Sequence, residues 1–257
     1  MSLIAVASAK FSPGVTTWAQ LLVLRRPSQR RCILVDCDPS GSEWLLRPGV
    51  APEPGLVTLA MAGRRELAAG AVLEHTQSVG EPGLEVVVGP AAARQATSAL
   101  DILGERLGAH LAALPDVDVV ADCGRLDPRS PALGLLAKAQ LVLLVARPAV
   151  SDLVHLAPWV EQLGGERLAV VLVGGGRGPH QVAYEPQEIA DALGAPVLGV
   201  LADDAPAAAR VFAQPGSLVG MFRTRLVRST DALAAGAFAV AGETTTQLSA
   251  SREALTS

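Results

Sequence analysis

The chain has 257 residues, half of them hydrophobic and 18% charged, which suffices for one sizeable core, and nothing in its middle reads as a linker. Its formal net charge of −4 argues against a surface built to coat nucleic acid. Cys32, Cys37 and Cys123 are too few and too oddly spaced for a disulfide framework, and no apolar run approaches the roughly 18 residues of a membrane span. The start is apolar without a basic leader segment and reads as a strand, so a cytoplasmic location is expected.

Short runs rich in Val, Ile and Leu predict strands over 3–8, 32–35, 84–88, 117–121, 141–145, 168–173 and 197–201. Segments with helical spacing lie between them, over 15–24, 94–114, 131–139, 151–163, 186–193 and 205–212. This alternation predicts an α/β fold: a doubly wound, mostly parallel sheet flanked by helices, with ligands beyond the carboxyl ends of the strands. The stretch 41–80 mixes Pro, Gly and short apolar pieces, and predicts a loop followed by one or two small helices. A small-residue helix is expected over 231–240. One domain then occupies 1–242, and the Thr- and Ser-rich tail 243–257 is expected to be disordered.

Three segments carry the chemistry. The first strand leads into Ala9-Lys10-Phe11-Ser12-Pro13-Gly14-Val15-Thr16-Thr17 and then a helix. A strand, a glycine-bearing loop and a Thr pair opening a helix suit phosphate. Successive backbone N–H groups and the helix N-terminus surround the anion, and a hydroxyl binds Mg²⁺. Read alone, the segment is equally a turn joining strand to helix. Lys10 adds weight, because it is one of only two lysines among 21 basic residues and sits in this loop. The second strand ends Asp36-Cys37-Asp38-Pro39-Ser40-Gly41, where Asp36 and Asp38 alternate and so face one side. A third, mostly apolar run, from Val117, ends in Asp122-Cys123-Gly124.

In order and spacing these segments resemble the deviant Walker A, A′ and Walker B motifs of the ParA/MinD superfamily of P-loop ATPases. The resemblance extends from residue 3 to about residue 212. Lys10 matches the signature lysine, Gly14 the last glycine, and Thr16 and Thr17 the Thr pair. Phe11 and Ser12 stand where the family has glycines, and Pro13 removes one N–H donor. Val15 replaces the lysine that reaches the β- and γ-phosphates. The resemblance implies ATP or ADP bound by Lys10, Phe11, Ser12, Pro13, Gly14, Val15, Thr16 and Thr17, with Mg²⁺ near Thr16, Asp36 and Asp122. It implies Asp38 as the residue orienting the attacking water, and Lys10 as a contact to the partner's phosphates in a homodimer. Arg125, Asp127 and Arg129 follow where the family has its switch segment. The loop also looks like that of CpaE-type accessory proteins of pilus and secretion machinery.

Two functions therefore follow from the resemblance. One is a nucleotide-dependent switch, with slow or absent hydrolysis, that positions or assembles a cellular machine. The other is a pseudo-ATPase scaffold that binds a protein partner without turnover. Gly174-Gly175-Gly176 departs from the family at a place where relatives often carry an Asn that reads adenine. No second cysteine lies between Gly89 and Asp116, which argues against an iron–sulfur site. The end of the chain has no basic amphipathic helix for direct membrane insertion. Nucleic acid is expected, if at all, only at a local patch of Arg223, Arg225 and Arg228. His75, His110, His155 and His180 show no ligand spacing.

Overall fold

The computed structural model describes residues 2–11, 13–81, 83–174 and 184–256, with side chains as far as residue 246. The first strand, β1 (Leu3–Ser8), passes through the phosphate-loop segment into α1 (Val15–Leu24). Then come β2 (Arg31–Asp36), a short 3-10 turn (Trp44–Leu46), α2 (Leu56–Ala62), α3 (Ala71–Glu74), β3 (Gln77–Val79) and β4 (Leu84–Val87). The chain continues through α4 (Ala93–Ala112), β5 (Val117–Arg125), α5 (Leu133–Leu136), β6 (Leu141–Ala146), α6 (Val150–Leu163) and β7 (Leu168–Gly174). It ends with α7 (Pro186–Leu193), β8 (Val197–Ala202), α8 (Ala205–Ala213) and α9 (Arg225–Thr256).

One eight-stranded sheet has the order β3-β4-β2-β5-β1-β6-β7-β8. Every pairing is parallel except that of β3 with β4. The expected doubly wound sheet is therefore present, with one short antiparallel edge strand added. Alternation along the strands divides the core in two. Leu3, Ala5, Ile33, Val35, Val119 and Ala121 pack with α4, α5, α6 and α7 on one face, where Leu100, Leu107, Leu136, Leu156 and Ile189 are buried. Ile4, Val6, Leu34 and Val120 pack on the other face with α1, α8 and α9, through Trp18, Leu22, Val211 and Leu226. Because helices cover both faces, the central strands bury apolar side chains on both sides rather than at alternate positions only.

Trp18 anchors the α1 side and is fully buried. Trp18→Ala is expected to cost about 3–5 kcal/mol, from lost transfer energy plus the cavity left behind. Urea denaturation checks this.

Helix α9 runs Arg225–Thr256, longer than the helix expected over 231–240. Ser and Thr usually compete with helical hydrogen bonding. Here the hydroxyls of Thr244, Thr245 and Thr246 bond back to the carbonyls of Val240, Ala241 and Gly242, within the helix. Among the described residues, no helix is long and apolar enough to cross a membrane.

Candidate functional site

The carboxyl ends of β2, β5 and β1 lie side by side in the sheet, and the first loop crosses above them. A cleft of about 590 Å³ opens there, within the ~300–1,000 Å³ usual for small-ligand sites. Its lining includes Ser8, Phe11, Gly14, Val15, Thr16 and Thr17 from the loop and α1. Asp36, Asp38, Glu43 and Trp44 come from the strand β2 and its following turn, and Gly124 and Arg125 from the end of β5.

The loop is built for an anion at the N-terminus of α1. Gly14 caps the helix with φ 96, and no side chain caps it, so the first-turn N–H groups are left for a ligand. The Ser8 hydroxyl donates to the Phe11 carbonyl at 3.4 Å and ties the loop across its base. Phe11 itself holds φ 57, a left-handed conformation that costs a bulky residue about 1–3 kcal/mol. The backbone thus keeps a glycine-like turn at a phenylalanine.

Val15 and Lys10 have separate fates. Val15 is 5% exposed and packs into the α1-side core with Ile4, Val6 and Trp18. Lys10 does not line its own chain's cleft, and its ammonium lies 5.1 Å from the centroid of the Phe11 ring. Pro13 is buried beside Gly14, and Ser12 lies outside the described residues.

Beneath the loop, Asp36 and Asp122 are paired in register across β2 and β5. Strand alternation places both on the α1 side with Leu34 and Val120. Both are buried, and the Oδ2 atom of each has no hydrogen-bond partner among the described residues. Burial pushes the Asp122 carboxyl up, and the adjacent Asp36 raises it further. Hydrogen bonding by Thr16 and the Gly124 N–H pulls the other way. Burial likewise raises Asp36, against the Asp38 N–H that donates to its Oδ1 at 3.3 Å.

Asp38 follows just past the strand. The Ser40 N–H donates to its Oδ1 at 2.8 Å, while Gly124 (φ +58) has its Cα directly beneath the carboxylate. Burial raises Asp38 too, and Arg125 opposes that rise.

This donor set fits a small hard cation. Two buried carboxylate oxygens lack partners, and a hydroxyl at Thr16 stands at the helix mouth. Among the described residues, no three acids, His or Cys converge to hold a metal by themselves. Mg²⁺ suits such a site, because it keeps water and takes substrate phosphate oxygens beside one or two carboxylates.

Sequence reasoning missed Trp44 and Arg47, on the turn after β2. Trp44 is fully buried and lines the cleft. The Arg47 guanidinium stacks on it at 3.8 Å from the ring centroid and lies 4.9 Å from that of Phe212. Arg47 also donates to Gln20 on α1, while its Nε has no partner among the described residues. Burial lowers its pKa to about 10, against the nearby Asp36, Glu43 and Asp122, so it stays charged at neutral pH. A buried positive charge therefore sits near the acids, where no motif in the sequence announces one.

The other residues singled out from sequence lie elsewhere. Asp127 and Arg129 form an exposed pair at 3.9 Å, outside the cleft lining. Cys123 is buried in the core on the opposite sheet face from Asp122. Arg223, Arg225 and Arg228 are exposed at the start of α9. Gly175, Gly176 and His180 lie outside the described residues.

No protein-family model matches the chain, and no curated protein sequence matches it. Solved structures do. A ParA family ATPase from Chlorobium tepidum TLS superposes with a TM-score of 0.71 at 18% identity, covering 91% of this chain and 98% of the other. The septum site-determining protein MinD from Pyrococcus horikoshii OT3, solved with Mg-ADP, gives 0.70 at 18% identity, covering 91% and 94%. The cell division ATPase MinD of Pyrococcus furiosus gives 0.69 at 20% identity, covering 96% and 99%. At these identities the likeness speaks for architecture, and it agrees with the sheet order and cleft described above: the chain has the fold of the ParA/MinD superfamily.

Proposed function

We propose that this chain is a ParA/MinD-like nucleotide switch that binds ATP with Mg²⁺, forms a homodimer around it, and hydrolyses it slowly or not at all. The observation that carries the reading is the pair of buried, partnerless Oδ2 atoms of Asp36 and Asp122 below an uncapped helix N-terminus. Such oxygens are costly to leave unpaired, and a cation with phosphate above it satisfies them. The Mg-ADP in the Pyrococcus horikoshii MinD structure supports that ligand class.

In this reading the first-turn N–H groups of α1 cradle the phosphates, and Thr16, Asp36 and Asp122 hold the cation, whose charge offsets theirs. Asp38 orients the attacking water. Val15 brings no charge to the phosphoryl group in flight, so turnover is slow. Lys10, turned away from its own cleft, contacts the partner's phosphates. A protein partner of the division, partitioning or pilus/secretion type reads the dimer.

Calorimetric titration with ATP·Mg and ADP·Mg tests this. Saturable binding is expected, and at a hundredfold excess over Kd it adds about 2.7 kcal/mol of stability. Lys10→Ala should keep binding but lose nucleotide-driven dimerisation by light scattering, while Asp38→Ala should keep both. Neither heat nor a thermal shift at about 1 mM nucleotide, a Kd regime of roughly −4 kcal/mol, overturns the reading. That result would favour the second one, a scaffold without nucleotide, which the burial of Val15 in the core supports.

A further inference from the structure

The cleft carries a charge problem that its loop does not solve. Asp36, Asp38 and Glu43 line it, Asp122 lies beneath, and among the described residues only one basic side chain, Arg125, joins the lining. Val15 is locked into the core and Lys10 rests against Phe11. Among the described residues, a nucleoside triphosphate entering this cleft would meet one cation in its lining.

We propose that Arg125 is the phosphate-contacting cation of this chain, taking at the end of β5 the role that a lysine at position 15 has lost. The proposal rests on the nucleotide reading above and adds to it a named contact to the terminal phosphate.

Position is the first argument. Arg125 is the last residue of β5 and pairs in register with Ser8, the last residue of β1, so the two strands deliver it to the root of the phosphate loop. The left-handed turn at Gly124, with Asp38 over its Cα, brings the guanidinium to the cleft beside the acid assigned to the water. Availability is the second argument. The Arg125 side chain is exposed and makes no hydrogen bond or ion pair among the described residues, although it lies near enough to Asp38 to oppose part of the rise that burial gives that carboxyl's pKa. It is a cation at an acidic cleft that nothing nearby has consumed.

Chemistry is the third. A guanidinium offers paired, coplanar N–H donors that match two phosphate oxygens, at the cleft mouth rather than from the helix start. Its place favours the outermost phosphate, so it should distinguish triphosphate from diphosphate.

The test compares ATP·Mg and ADP·Mg binding, by calorimetry, in the wild type, Arg125→Ala and Arg125→Lys. Because Arg125 is exposed and unpaired, Arg125→Ala should fold with an unchanged Tm. Its ATP affinity should fall about 10- to 100-fold, the usual scale for one charge-assisted pair, with ADP affinity changed less than about threefold. Arg125→Lys should recover part of the loss. The loss should also persist in an Asp38→Asn background, which removes the neighbouring charge. A loss seen only with Asp38 intact means Arg125 acts through that acid, and overturns the direct contact. If the wild type binds ATP and Arg125→Ala binds it equally well, the role of Arg125 fails while the nucleotide reading stands. If the wild type binds neither nucleotide, the nucleotide reading fails and this role fails with it.

Discussion

Asp122→Asn is expected to make the ligand-free protein more stable at neutral pH, and at the same time to abolish its stabilisation by ATP·Mg. Asp122 is fully buried, its Oδ2 has no partner among the described residues, and the carboxyl of Asp36 faces it in register. Ionising both costs the native state more than the unfolded chain, where carboxylates titrate near 3.8. Both folded values are raised, and the pair titrates as a unit. Between the unfolded value and neutrality the native state therefore holds more protons than the unfolded state. Stability is highest at the acidic end of that window and is lost as pH rises through it. Arg47 offsets part of the cost from below, and Thr16 and the Gly124 N–H another part, without removing it.

An amide at position 122 still accepts from Gly124 and cannot ionise. The expected gain is roughly 1–3 kcal/mol near pH 8, or about 2–10 °C in Tm, shrinking toward pH 5. A thermal melt series across that range, with and without ATP·Mg, measures both parts. A variant less stable than the wild type near pH 8, or one with the same pH slope, refutes the account. A variant that gains stability and also retains the ATP·Mg shift refutes the ligand role of Asp122.

That combination is how a functional site separates from a structural one. Evolved cores rarely keep a pair of buried acids at a net cost unless something else uses them. The acids were legible in the sequence because each ends a mostly apolar run, and β1 (Leu3–Ser8) and α1 (Val15–Leu24) have the bounds that their patterns predict. What the sequence conceals is convergence. Nothing in Trp44 to Arg47 distinguishes an arginine stacked under the cleft from one on the surface, because the stack depends on Gln20 and Phe212, far away in the chain. Strand β3 (Gln77–Val79) is three residues of mixed polarity, too short for any period, and exists because β4 offers it an edge. Arg125 was visible only as a residue after a motif. Its placement follows from the pairing of β5 with β1, which one strand's sequence does not contain.

Gly124→Ala is expected to destabilise the protein through a clash inside this site, and Gly14→Ala supplies its control. Both glycines have positive φ, +58 and +96, so each alanine carries a backbone penalty of about 1–2 kcal/mol. They differ in what the new methyl meets. At Gly14 there is nothing within 4 Å, whereas at Gly124 the Cβ would lie 2.1 Å from Cγ of Asp38. Overpacking of that kind adds roughly 1–3 kcal/mol, so Gly124→Ala should cost about 2–5 kcal/mol in total. The Asp38 side chain can escape only by giving up its bond from the Ser40 N–H, which holds it over Gly124. A double-mutant cycle separates the two components. In an Asp38→Ala background the clash has no partner, and Gly124→Ala should then cost no more than Gly14→Ala does in the wild type. Equal costs for Gly124→Ala in both backgrounds would place the whole effect in the backbone and leave Asp38 without its seat. A smaller cost in the Asp38→Ala background would show that the glycine of the third motif is there to hold the acid of the second, which is the contact that makes the separate segments one site.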